Sequence, residues 1–198
     1  MIEEHVLVQR ALAGDREAFA GLVQAYQGPV YNLAYRMLGN PAEAEEAAQE
    51  TFVRMYQRLA TYDPQQKLSS WVLAIASHYC VDRLRRRRIV SLPLDEVQVD
   101  GLTEPTEAPE PCLLAQEKER EIQSLLAELP EAYRLVLVLR YWQDLSYEEM
   151  ARTLGTSASA VKAKLHRARE LMAQHLSRRQ EMQPVHGLER RVTRHALP

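Results

Sequence analysis

The sequence has little of what catalysis or metal binding requires. Only two cysteines occur among its 198 residues, Cys80 and Cys112. They lie far apart and belong to no CxxC or Cys/His set, so neither a metal site nor a redox pair is expected. Glycine is scarce, seven in all, and none builds a phosphate-binding loop. With no nucleophile motif and no metal-ligand spacing either, neither an enzyme nor a bound cofactor is expected. Nothing approaches the roughly 18 apolar residues of a membrane span. Residues Met1 to Arg16 include acids and no apolar core region, which argues against a signal peptide and for a cytoplasmic protein. Two-residue alternation bounded by turn signals is missing as well, so strands are not expected and the fold class reads as all-α. Excess positive charge is also absent: the net charge is -2 and the pI about 6.3. A nucleic-acid role must therefore rest on where the charges sit.

What is present is a soluble globular composition, 46% hydrophobic and 26% charged, of a length that fits one or two domains. The charges are segregated. Arg83 to Arg88 and Lys162 to Arg169 are basic, whereas Glu43 to Glu50 and Asp95 to Glu110 are acidic. Two basic helices about ninety residues apart, each in its own helical unit, would let one chain measure the spacing between two DNA elements.

In the first unit, residues 1–90, Ala18, Phe19, Leu22, Val23 and Tyr26 repeat at three and four, and Val30, Leu33, Ala34, Met37 and Leu38 follow an expected break at Gly28-Pro29. Asn40-Pro41 restarts a helix with a cap and a first-turn proline, running to about Ala60. One stripe of it, Ala44, Ala48, Thr51, Phe52, Met55 and Leu59, suits a core. A neighbouring face, Glu45, Gln49, Val53 and Tyr56 with Glu46 and Glu50, mixes acid, amide and apolar groups as a partner-binding surface would; a solvated acidic face is the bland alternative. The next helix is expected from Ser69 or Ser70 through the arginines. Leu73, Ala76, Cys80 and Leu84 share its buried stripe, giving Cys80 a packing role. Trp71, His78 and Arg85 recur at seven residues on another side, where ring, imidazole and guanidinium could meet bases and phosphate.

Residues 91–112 are rich in proline and acid, and from Ser91 to Pro111 there is no lysine or arginine, so they read as a flexible linker. The second unit, residues 113–176, opens with a helix carrying Leu113, Leu114, Ile122, Leu125 and Leu126, and a second begins at Leu129-Pro130. Ser146-Tyr147-Glu148-Glu149 matches a capping box, Gly155 suits a left-handed terminator, and Ser157 caps the last helix. There Val161, Leu165, Ala168 and Met172 face inward and Ser159, Lys162, Ala163, His166 and Arg167 outward. Small residues near the N-terminus with long cations beyond them suit insertion into a DNA groove, although a solvated basic face gives the same pattern. Residues 177–198 read as a mobile basic tail.

Several strings together resemble one family. Asp15-Arg16-Glu17-Ala18-Phe19, the acidic Ala42 to Phe52, Ser70-Trp71-Val72-Leu73-Ala74-Ile75-Ala76 leading into Asp82-Arg83-Leu84-Arg85-Arg86, and Leu129-Pro130 through Leu165-His166-Arg167-Ala168-Arg169 are similar to the extracytoplasmic-function group of bacterial sigma-70-type sigma factors. The resemblance spans about Asp15 to Leu176. It implies that the first unit binds the β′ clamp helices of core RNA polymerase through Glu45, Glu46, Gln49, Glu50, Phe52, Val53 and Tyr56 and opens the minus-10 element. It places Leu68, Ser69, Trp71, Ile75, His78, Arg85 and Arg86 on minus-10 DNA, with Gln65 to Ser69, Leu68, Ile75 and His78 around a flipped base. The second unit would read minus-35 duplex through Ser159, Ala160, Lys162, Ala163, Lys164, His166, Arg167 and Arg169, and meet the β flap through Leu135 to Tyr141. The linker would run toward the RNA exit path, and an anti-sigma factor would be a further partner. His78 stands where the family often has asparagine, and Ala160 and Ala163 where it often has threonine and serine. Minus-35 preference then leans on Lys162, Arg167 and DNA shape.

A conventional helix-turn-helix repressor or activator is the alternative, binding duplex operator without polymerase, usually as a symmetric dimer. It leaves the acidic helix with Tyr56 and the Trp71/His78/Arg85 face unexplained.

Overall fold

The computed structural model describes residues 2–90 and 110–182. Its regular elements are α1 (Ile2–Leu12), α2 (Arg16–Leu38), α3 (Pro41–Arg58), a 3-10 turn (Leu59–Thr61), α4 (Leu68–Val90), α5 (Glu110–Glu128), α6 (Glu131–Tyr141), α7 (Tyr147–Thr153) and α8 (Ala158–Met182). No strand occurs among the described residues. Most of the 91–112 linker lies outside them, and Glu110 to Cys112 already belong to α5.

Local chemistry sets most helix ends. Asp15 accepts from the N–H groups of Glu17 and Ala18 to start α2, and Gly39, at φ +76°, ends it. Asn40 accepts from Glu43 N–H in front of Pro41. The capping box forms in both directions: Ser146 Oγ accepts from Glu149 N–H at 3.2 Å, and Glu149 accepts from Ser146 N–H at 2.8 Å. Gly155 takes φ +60°, and Ser157 Oγ accepts from Ala160 N–H at 3.2 Å.

Two expectations change. The break at Gly28-Pro29 is absent, and α2 runs on through Pro29. An interior proline costs a helix about 3 kcal/mol. Val30, Leu33, Ala34 and Met37, all fully buried, anchor the helix beyond Pro29 and offset that cost. Nor does the helical second unit end at Leu176, because α8 continues to Met182. His175 meets Glu128 at 2.6 Å, and Arg179 pairs with Glu128 and donates to Ser124 Oγ at 2.7 Å. These contacts tie the last turns of α8 to α5. Residues 183–198 of the expected tail lie outside the described residues.

In the first unit α2 packs against α1, α3 and α4. Leu22, Leu33, Met37, Met55, Leu68 and Val72 are its largest fully buried side chains after Val8 and Val30 are set aside. Cys80 is buried on α4 as expected, and burial pushes its thiol up to about 12. In the second unit α6, α7 and α8 surround Leu139, Met150, Val161 and Leu165, with Leu126 of α5 closing one side. The two units touch: α2 packs on α5 and α6, and α4 on α6 and α7, so one continuous core joins them.

The Glu149 carboxylate is held from an ordinary 4.5 down to about 2 by Lys67, at 2.5 Å, and by the Ser146 N–H. A lowered folded-state value means the stabilisation is complete above the unfolded value near 4.5 and is lost as pH falls toward 2. Thermal melting from pH 6 to pH 2.5 should therefore show a steeper fall for wild type than for Glu149→Gln. Parallel curves would mean that Glu149 adds nothing by its charge.

Candidate nucleic-acid interface

Helix α8 is built as its pattern suggests. Val161, Leu165 and Ala168 are buried, and Ser159, Ala160, Lys162, Ala163, His166 and Arg167 are exposed. Gly155 in its left-handed conformation and the Ser157 cap shape the turn at which α7 hands over to α8. Lys162 lies over the Tyr147 ring at 5.4 Å, and Arg167 and His166 share Glu170, at 3.1 and 3.7 Å. Both side chains on Glu170 are exposed, so phosphate can displace the carboxylate from Arg167 at small cost. Lys164 is half-buried, and Arg169 turns away from this face toward α6. It donates to Tyr141 Oη at 2.9 Å, which raises the affinity of its guanidinium for its proton. There it borders an apolar groove of about 320 Å³ between α6 and α8, lined by Leu126, Leu137, Tyr141, Trp142, Met172 and Leu176.

On α4 the expected minus-10 groups divide. His78, Arg85 and Arg86 are exposed, Trp71 packs against Tyr62 with ring centroids 5.4 Å apart, and Leu68 and Ile75 are buried. A cavity of about 420 Å³ does open at Gln65 to Ser69, with Leu68 as its floor. Its other walls are Glu4, His5 and Val8 of α1 with Tyr26 and Tyr62, and neither Ile75 nor His78 reaches it. The periodicity of α4 could not reveal that wall, since Glu4 is joined to Tyr26, 22 residues on, by a hydrogen bond to its hydroxyl. Burial and that carboxylate both raise the Tyr26 hydroxyl, keeping it a neutral donor. Polar edges around an apolar floor can hold one planar heterocycle by stacking and edge hydrogen bonds.

The acidic helix α3 shows the mixed face. Glu45, Gln49, Val53 and Tyr56 are exposed, the last two at 49% and 58%, and Tyr56 rests edge-on against Phe19 at 5.0 Å. Phe52 is half-buried, and Glu50 pairs with Arg54 at 2.7 Å. Glu46 is already engaged: Arg83 donates to both of its oxygens at 2.8 and 2.9 Å. With Glu43 beside Arg83 and Arg87, Glu46 also fastens α3 to α4.

Two family models match these units in order, Sigma-70 region 2 over residues 22–89 and Sigma-70 region 4 over residues 119–172. The ECF RNA polymerase sigma factor SigW of Bacillus subtilis is 35% identical over 85% of this chain and 94% of its own length. The chain belongs to the extracytoplasmic-function (ECF) sigma factors. In fold, the sigma factor is also similar to CnrH, solved with the cytosolic domain of CnrY, at 23% identity and a TM-score of 0.65 over 89% of this chain and 98% of that one. The sigma factor RpoE of Bartonella quintana, solved with the anti-sigma factor NepR, gives 17% and 0.61 over 80% and 96%. No described helix of the sigma factor is long and apolar enough to cross a membrane.

Proposed function

We propose that this ECF sigma factor binds core RNA polymerase through the Gln49/Val53/Tyr56 face of α3 and reads minus-35 duplex with α8. The cavity at Gln65 to Ser69 takes an extruded minus-10 base, and Arg85 and Arg86, at the far end of α4, hold promoter backbone farther along the helix. The observation that carries this reading is the pairing of two interfaces of different chemistry. One is a groove-reading helix with small residues before its cations. The other is a cavity roomy enough for a base at the start of α4, the helix whose far end, about 25 Å away, carries the arginine run. A conventional repressor needs only the first. Catalysis belongs to the polymerase. Because RpoE is named in complex with an anti-sigma factor, a regulator of that class covering the α3 face is part of the proposal.

Run-off transcription with purified core enzyme over a promoter library is the test. Defined new transcripts that require both protein and core support the assignment, whereas a footprint from the protein alone would favour the conventional regulator. On the promoter so found, Arg167→Ala should weaken minus-35 binding by about 1–3 kcal/mol and relax preference at one base pair. Weaker binding with unchanged base preference would instead place Arg167 on a phosphate.

A further inference from the structure

The cavity at the start of α4 has one feature that room for a base does not require. Glu4 brings a carboxylate into its wall from the first turn of α1, while Val8 and Leu68 supply buried apolar surface. The Tyr26 hydroxyl donates to Glu4 Oε1, and no hydrogen bond to Oε2 occurs among the described residues. The loop that completes the wall is held as well. Tyr62 Oη donates to the Gln66 carbonyl at 2.6 Å, and Asp63 Oδ1 accepts from the Gln65 N–H at 2.9 Å. Lys67, a cation of the same wall, is drawn to Glu149 at 2.5 Å. The wall thus contains a fixed carboxylate with its second oxygen still to be satisfied.

We propose that Glu4 selects the captured minus-10 base: its second oxygen accepts from the exocyclic amine of cytosine, adenine or guanine and is set against the carbonyls of thymine, which the cavity rejects. Tyr26 is the positioning residue that holds the carboxylate in place. The inference rests on the reading that the cavity takes an extruded base, and it adds which class of base is taken.

Edge chemistry decides the class. Cytosine and adenine carry amino donors at N4 and N6, where thymine carries the O4 acceptor, and guanine presents its N2 amine beside N1–H. The one donor of thymine, N3–H, lies between two carbonyls, so a carboxylate that approaches it sets oxygen against oxygen. Away from water, acceptors left facing each other cost the full penalty of unpaired groups. A site built to hydrogen-bond a donor therefore rejects a ligand that lacks it more sharply than an apolar site does. The phenol adds to this. Burial and Glu4 both raise the Tyr26 hydroxyl, so it stays a donor, and the carboxylate cannot turn out of the cavity without losing that bond.

The test uses the full chain with core enzyme on the promoter that run-off identifies, pre-melted across the minus-10 element so that base pairing plays no part. Photoreactive 5-iodocytosine, placed at each non-template minus-10 position in turn, finds the position that crosslinks to α1 or to residues 62–69. At that position thymine should lower run-off about tenfold relative to the best amino-bearing base. In Glu4→Gln the amide oxygen keeps the Tyr26 bond while the amide nitrogen can donate to O4, so the ratio should narrow to about twofold. Tyr26→Phe should narrow it part-way. Because each ratio is taken within one protein, a general loss of folding or of core binding cancels. Crosslinks that all fall elsewhere overturn the cavity as a base site, and this inference with it. A crosslink in the cavity with a wild-type ratio near one, or with the same ratio in Glu4→Gln as in wild type, overturns Glu4 as the selector and leaves the cavity standing.

Discussion

Replacing Arg134 with methionine is expected to lower the unfolding free energy by about 2–4 kcal/mol, because the carbonyls of Met37, Ala127 and Leu129 lose their donor, at about 1–3 kcal/mol for each that stays buried, less what relief of the buried charge returns. Arg134 is a buried cation on an otherwise apolar helix, flanked by Leu135 to Leu139. Its Nη2 donates to the carbonyls of Ala127 and Leu129, at 2.8 and 3.2 Å, and so closes the turn between α5 and α6. Burial lowers its hold on its proton, and Glu131 acts against that. Methionine keeps most of the volume and relieves the buried charge, but leaves the turn carbonyls without their donor, that of Leu129 buried. Arg134→Lys should recover only part of the loss, since one ammonium cannot repeat the planar fork. Urea unfolding followed by Trp142 fluorescence reads the effect. A methionine variant as stable as wild type would mean that relief of the buried charge cancels the lost hydrogen bonds.

Arg134 also shows where sequence reasoning stops. Signals confined to a few residues were legible, because capping chemistry operates within one turn: Asn40 before Pro41, Ser146 with Glu149, Gly155, and Ser157 before α8. The alternation of buried and exposed positions on α3, α4 and α8 was legible for the same reason. Pro29 was misleading because its local cost is overridden by burial of Val30, Leu33 and Met37, which no window around it reports. The cavity wall from Glu4 and Tyr26, the clasp of Arg179 on Glu128, and the seam joining Gln123 and Arg134 to the end of α2 all depend on residues distant in sequence. Charge pattern likewise did not reveal that Glu46 already holds Arg83 or that Arg169 leans on Tyr141.

That last distinction decides which change on α3 should have the largest functional effect. Glu46→Ala would break the α3–α4 pair with Arg83, so a loss of polymerase binding could not be assigned to the α3 face itself. Val53→Ser with Tyr56→Ala is cleaner, because both side chains are exposed and carry no hydrogen bond among the described contacts. Aromatic anchors at the centre of an interface are worth about 2 kcal/mol or more, equivalent to roughly 30-fold in affinity. The double variant should therefore need at least about 30-fold more protein for half-maximal run-off. Its thermal unfolding should move by no more than about 1 kcal/mol, the worth of the edge-on contact between Tyr56 and Phe19. Loss of transcription with an intact melt would place the defect on polymerase binding. An unaltered titration would return this face of α3 to solvent and move the burden of core binding to the apolar groove between α6 and α8.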